Sequence, residues 1–92
     1  MTVTQVTSLK TEIKELIIQT LNINNIHPEQ VPDSIPLFSK ENILNLDSID
    51  GIELVMAIQD KYQVRIADQN VARNVLESID SIAEFVIREK GL

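Results

Sequence analysis

The 92-residue chain contains no cysteine and no tryptophan, and it has only two glycines, one histidine and one tyrosine. Without cysteine there is no disulfide, no thiolate metal ligand and no cysteine nucleophile. With glycine only at positions 51 and 91 there is no glycine-rich loop to cradle a phosphate, and no Gly-x-Ser-x-Gly elbow surrounds any serine. His27, the one histidine, directly precedes Pro28 and has no accompanying nucleophile pattern, so a surface or loop-packing role is expected for it rather than catalysis. Long apolar runs are missing too. Stretches such as Leu54–Ile58 are far too short to cross a bilayer, and the first ten residues lack the apolar core of a secretory signal. A soluble, cytoplasmic, monomeric protein is the default expectation.

Basic charge is scarce where it matters. The net charge of −6 disfavours nucleic acid, whose phosphates call for clustered Lys and Arg. Residues 41–60 hold five acids and no Lys or Arg, whereas residues 61–92 balance five acids against five bases. The negative potential therefore gathers around one serine, Ser48. That field would speed encounter with a positively charged partner. Taken alone, an acidic stretch of this kind more often belongs to an ordinary solvated helix face. Asp47, Asp50 and Glu53 do not have the spacing of an EF-hand calcium loop, and no metal site is expected.

An apolar fraction of 43% in a chain this short argues for one small folded domain spanning residues 1–92, with residues 1–7 a flexible N-terminus. The pattern is all-α: three main helices plus a short one. Leu9, Ile13, Leu16, Ile17 and Thr20 share one helical face, with Thr7 or Ser8 as its cap. A long connection from about Asn22 to Asp47 follows, punctuated by Pro28, Pro32 and Pro36. Loops of that length need a reason, and Ile23, Ile26, Val31, Ile35, Leu37 and Phe38 supply one by pinning the segment into the core. A second helix is predicted from Ser48 to about Lys61, with Leu54, Val55, Ile58 and Tyr62 facing inward. A short third helix is predicted around Asn70–Leu76. The last is predicted to begin near Asp80 or Ser81, capped by Ser81 with Glu84, and to stop at Gly91. Phe38, Phe85 and Tyr62 are the only aromatics in an otherwise aliphatic core.

The second helix has more apolar positions than one core face uses. Ile49, Ile52 and Met56 fall on a second stripe at i, i+3 and i+7, flanked by Asp50 and Glu53. Apolar residues ringed by charge suit a transient docking surface, although helical apolar residues are usually core. Ser48 itself reads either as an ordinary helix cap or as a hydroxyl presented for modification.

These residues closely resemble the acyl carrier protein family. Leu46-Asp47-Ser48-Ile49-Asp50 is similar to the family's Asp-Ser-Leu-Asp/Glu attachment motif, with isoleucine for leucine, and Ile52–Ile58 continues the match along the second helix. Less specifically, the likeness extends from the first helix through Phe38 to residues 82–87. It implies an acyl-carrier-like bundle that is not an enzyme. It implies that a phosphopantetheinyl transferase esterifies Ser48 with 4′-phosphopantetheine taken from coenzyme A. The thiol of that arm would carry acyl intermediates of fatty-acid or polyketide/polyene-type synthesis, so the reactive sulfur is imported. Asp47, Asp50 and Glu53 would then face basic patches on a ketosynthase, an acyltransferase and other acyl-processing enzymes, with Ile49, Ile52 and Met56 as the apolar contact. Two departures stand out: Asn45 replaces the glycine common three residues before the serine, and Gly51 sits in the first helical turn. Paired glycines, usual before the serine of peptidyl carriers, are absent at Leu44-Asn45-Leu46-Asp47, which makes aminoacyl loading a secondary alternative. The alternative from another class is an unmodified helical interaction module using the same acidic helix.

Overall fold

The computed structural model describes residues 3–91. Four α-helices form the fold: α1 (Val3–Thr20), α2 (Ser48–Tyr62), α3 (Gln69–Val75) and α4 (Ile79–Lys90), with a single 3₁₀ turn at Pro28–Gln30. No strand occurs among the described residues. The predicted all-helical bundle is therefore observed, with three main helices and a short one.

Helix α1 buries Leu9, Ile13 and Ile17, and packs most extensively on α4 and then on α2. From α2, Leu54 and Ile58 enter the same core; from α4, Ile79, Ile82, Ala83, Phe85 and Val86 do. Helix α3 packs on α4. Tyr62, at the end of α2, is half-buried, and its hydroxyl donates a hydrogen bond to Glu12 Oε1 at 2.9 Å.

Two helix starts differ from expectation. Helix α1 begins at Val3, so Thr7 and Ser8 lie inside it rather than at its cap, and residues 3–7 of the segment expected to be flexible are helical. Positions 1 and 2 of that segment lie outside the described residues. Helix α4 begins at Ile79 and is capped by Ser78, not Ser81: Ser81 N–H donates to Ser78 Oγ at 3.2 Å, and Ser78 N–H donates back to Ser81 Oγ at 2.9 Å. The reciprocal cap thus exists three residues earlier, with Ser81 as its second member and not Glu84. At the other end, Gly91 adopts φ 68° and stops α4 in the left-handed conformation, as its sequence position implied.

The 27-residue connection between α1 and α2, residues 21–47, is held at both the backbone and the side-chain level. Val31, Leu37, Leu44 and Leu46 are buried in the core. Leu37 N–H donates to the Glu77 carbonyl at 2.8 Å, Leu46 N–H to the Leu37 carbonyl at 2.9 Å, and Asp80 N–H to the Asp33 carbonyl at 3.0 Å. Asn42 is only 2% exposed, and both halves of its amide are used: Nδ2 donates to the Ile35 carbonyl and Oδ1 accepts from Leu44 N–H, each at 3.0 Å. Two lysines of α1 reinforce this. Lys14 meets Asp33 at 2.6 Å and Lys10 meets Asp80 at 2.7 Å, tying loop, α1 and α4 together. Phe38 departs from the expected pinning set. Its ring remains 39% exposed and lies over α2 instead of entering the core.

Candidate functional site

The site is the start of α2, and its geometry begins in the turn before it. Asn45 adopts φ 41°, in the left-handed region that asparagine tolerates better than most residues, and its N–H donates to the Asn42 carbonyl at 3.0 Å. That turn lets Leu44 and Leu46 bury while the intervening residue stays outside. The chain then reaches Asp47 in extended conformation, the N-cap of α2.

Asp47, not Ser48, is the cap. Asp50 N–H donates to Asp47 Oδ1 at 3.0 Å, and Asp47 N–H donates to Asp50 Oδ2 at 3.1 Å. These bonds satisfy donors that a helix start otherwise leaves without partners. Ser48 is therefore released from capping. It occupies the first helical position, is exposed, and its hydroxyl is engaged by no described residue. A capping serine would have its oxygen committed to the backbone; this one does not.

Beyond Ser48, α2 shows two faces. Gly51, Leu54 and Ile58 are buried. Ile49, Ile52 and Met56 are 66%, 64% and 65% exposed, so the second apolar stripe read from the sequence is a surface feature and not core. Glu53 is exposed between them and is paired with no described residue, and Asp47 is exposed while Asp50 is half-buried. The four ion pairs formed by described residues all involve α1, leaving the acidic surface of α2 unneutralised except for Lys61 at its end. Ile43, in the preceding loop, is a further exposed apolar residue at 49%; nothing in its sequence context separates it from the buried Leu44 beside it.

Next to Ser48 a cleft of about 700 Å³ opens between α2 and α3. Its α2 wall is Gly51, Ile52, Val55 and Met56, and its α3 side presents Ala72 and Leu76. Ile52 and Met56 thus belong to both the outer stripe and the lip of the cleft. No local pattern in the chain marks this space, because its far wall comes from residues remote in the chain: Phe38 and Ile66 as well as α3. The one signal was Gly51. A Cβ at position 51 would lie 3.3 Å from Phe38 Cζ and 3.7 Å from Leu76 Cδ1, so the bare backbone there is what lets the phenyl ring rest on α2. The structure assigns that glycine to packing.

Other candidates do not join the site. His27 is exposed and its N–H donates to Gln30 Oε1 at 2.7 Å, closing the 3₁₀ turn. Among the described residues no group of three or more His, Asp or Glu is placed to hold a metal ion, and no helix is long and apolar enough to cross a membrane.

No protein-family model matches the chain. Relatives called acyl carrier protein do, among them three from bacteria. That of Campylobacter fetus is 30% identical over 76 residues, covering 82% of this chain and 87% of the relative. That of Wolinella succinogenes is 28% identical over 79 residues, 86% of this chain and 93% of the relative. That of Thermosynechococcus vestitus is 28% identical over 75 residues, covering 82% and 83%. With that identity spanning nearly the full length of both chains, this helical bundle is a member of the acyl carrier protein family, a non-enzymatic carrier serving acyl synthesis.

Proposed function

We propose that Ser48 is the attachment point for 4′-phosphopantetheine and that the protein delivers acyl intermediates of the fatty-acid or polyketide/polyene class between separate enzymes. The observation that carries this reading is an exposed, uncommitted serine hydroxyl at the first position of α2, beside an apolar cleft. The residues present fit the group. A phosphodiester at Ser48 would lie by the N-terminal end of α2, where the helix dipole favours negative charge by about 0.3–1 kcal/mol. When attached, the arm supplies a terminal thiol that holds an acyl chain as a thioester.

The protein's own contribution is presentation. Asp47 and Asp50 lock the first turn, which fixes the direction in which Ser48 points. Within a phosphopantetheinyl transferase the hydroxyl attacks the pantetheine-side phosphate of coenzyme A, the pyrophosphate bond breaks, adenosine 3′,5′-bisphosphate leaves, and the hydroxyl proton passes to a base of that enzyme. The cleft walls of α2 and α3 offer apolar shelter to the chain, at about 0.8 kcal/mol per methylene removed from water.

Docking uses the outer face. Asp47, Asp50 and Glu53 attract basic patches on the transferase, the ketosynthase, the acyltransferase and related enzymes, while Ile49, Ile52 and Met56 give the contact its apolar centre. Exposed charges screened within about 8 Å at physiological salt make such contacts weak and quick to release, as a shuttle requires. The carrier works as a cytoplasmic monomer in this reading. The test is intact mass after incubation with coenzyme A and a broad-specificity transferase. The wild-type chain gains one prosthetic group and Ser48→Ala gains none; a gain that persists in Ser48→Ala, or none in the wild type, refutes the assignment.

A further inference from the structure

Phe38 is the one large side chain of the long connection that crosses to α2 without entering the core. Its ring is 39% exposed and lines the cleft together with Gly51 and Leu76. The ring tip and Leu76 approach the same point, the vacant Cβ position of Gly51, to 3.3 Å and 3.7 Å. They therefore meet over α2 inside the cleft, one helical turn beyond Ser48. A Cβ at position 51 would require the ring to shift by a few tenths of an ångström, and glycine lowers helix stability relative to alanine. The sequence tolerates that cost at the place where the ring is seated.

We infer that Phe38, seated on Gly51, is the residue that sets how long an acyl chain the cleft accepts. This rests on the carrier reading and deepens it by naming a determinant of the cargo. The ring takes up space that a chain would otherwise fill, and it does so from a loop whose neighbours Leu37 and Leu46 are fixed by a backbone hydrogen bond at 2.9 Å. With the backbone beside it held, the ring's bulk limits the room left in an otherwise aliphatic cleft. Because the ring is half in water and outside the main core, its size can change without dismantling the bundle.

The test loads the protein with straight-chain acyl-pantetheine groups of increasing even length, transferred from the corresponding acyl coenzyme A thioesters, and measures the unfolding temperature of each form. Each value is referred to the same variant carrying the arm alone, so that any intrinsic loss of stability cancels. In the wild type the midpoint rises with chain length and then levels off where the cleft is full. In Phe38→Leu and Phe38→Ala the levelling-off moves progressively longer, by about two carbons or more in the alanine variant. In Phe38→Trp it moves shorter. An identical levelling-off in all four proteins, or a midpoint indifferent to chain length, overturns the inference while leaving the carrier assignment intact. Failure of Ser48 to accept any acyl-pantetheine, read by mass, overturns both.

Discussion

Asp47 and Asp50 exchange hydrogen bonds across the first turn of α2, each carboxylate accepting the other's backbone N–H at 3.0 and 3.1 Å, with Ser48 between them. The acids that flank the serine are thus structural before they are electrostatic, and the two roles are separable. Asparagine caps a helix as well as aspartate does, so Asp47→Asn keeps the fold and removes the charge. Asp47→Ala loses the cap and costs about 1 kcal/mol. Urea unfolding separates the two variants. Transfer from a partner enzyme at low salt falls in both, and a transfer rate unchanged in Asp47→Asn would mean that the carboxylate serves the helix alone.

Glu53 is exposed and has no described partner to lose, which makes it the cleanest probe of the docking face. Glu53→Lys is expected to stay within about 0.5 kcal/mol of wild-type stability. Its transfer with the partner enzyme falls, and the deficit narrows as salt is raised. Ile52→Ala and Met56→Ala weaken the same transfer without that salt dependence. If none of these substitutions alters the kinetics, the contact lies elsewhere on the protein.

Asn45 stands at φ 41°. Asn45→Ala puts a Cβ without a helpful amide into left-handed backbone and costs about 1 kcal/mol, whereas Asn45→Gly is neutral or slightly stabilising. The readout is again urea unfolding. Equal stability of the alanine and glycine variants would contradict the turn geometry.

Gly51→Ala provides a check on the seat of Phe38. Helix propensity alone would reward it by about 1 kcal/mol. The new methyl meets Phe38 Cζ at 3.3 Å, so the gain is withheld while the ring is present. In a Phe38→Ala background the same Gly51→Ala change becomes stabilising. A gain of equal size in both backgrounds would deny the contact.

Lys10 and Tyr62 give a sign to the alkaline limb of stability. The hydrogen bond to Asp80 raises the Lys10 pKa above its ordinary 10.5, outweighing desolvation. Burial, then the hydrogen bond to Glu12, raises the Tyr62 phenol above its ordinary 10.0. Both groups hold their protons more tightly when folded. Their contribution is complete below about pH 10 and is lost as pH rises through the folded values. Unfolding free energy is therefore expected to decline above about pH 10, and Lys10→Met and Tyr62→Phe each to make the decline shallower. A flat profile in the wild type would contradict both shifts.

How legible these features were depended on whether their cause was local. The α2 boundaries, the stop at Gly91 and the outward stripe of Ile49, Ile52 and Met56 follow from spacing and turn chemistry within a few residues. At the start of α4, Ser78 and Ser81 are both residues that favour a helix cap, so the local pattern does not choose between them. What separates them is that the Ser81 hydroxyl lies 2.7 Å from the Val75 carbonyl, a partner supplied by α3. Asn42 escaped notice because a polar residue earns burial only when carbonyl and amide partners converge on it, here from Ile35 and Leu44. Apolarity alone points Phe38 to the core, whereas its seat on the cleft depends on the open Cβ position of Gly51, thirteen residues away. The cleft has the same origin: its walls meet from four separate stretches of chain.

The most direct measurement is peptide mass analysis of the protein after incubation with coenzyme A and a phosphopantetheinyl transferase. Trypsin cleaves after Lys40 and Lys61, and the resulting peptide 41–61 contains a single hydroxyl side chain, Ser48. The expected result is one phosphopantetheinyl group on that peptide and no other. An unmodified peptide 41–61, or the group found on a different peptide, would contradict the assignment of Ser48 as the point where this carrier holds its cargo.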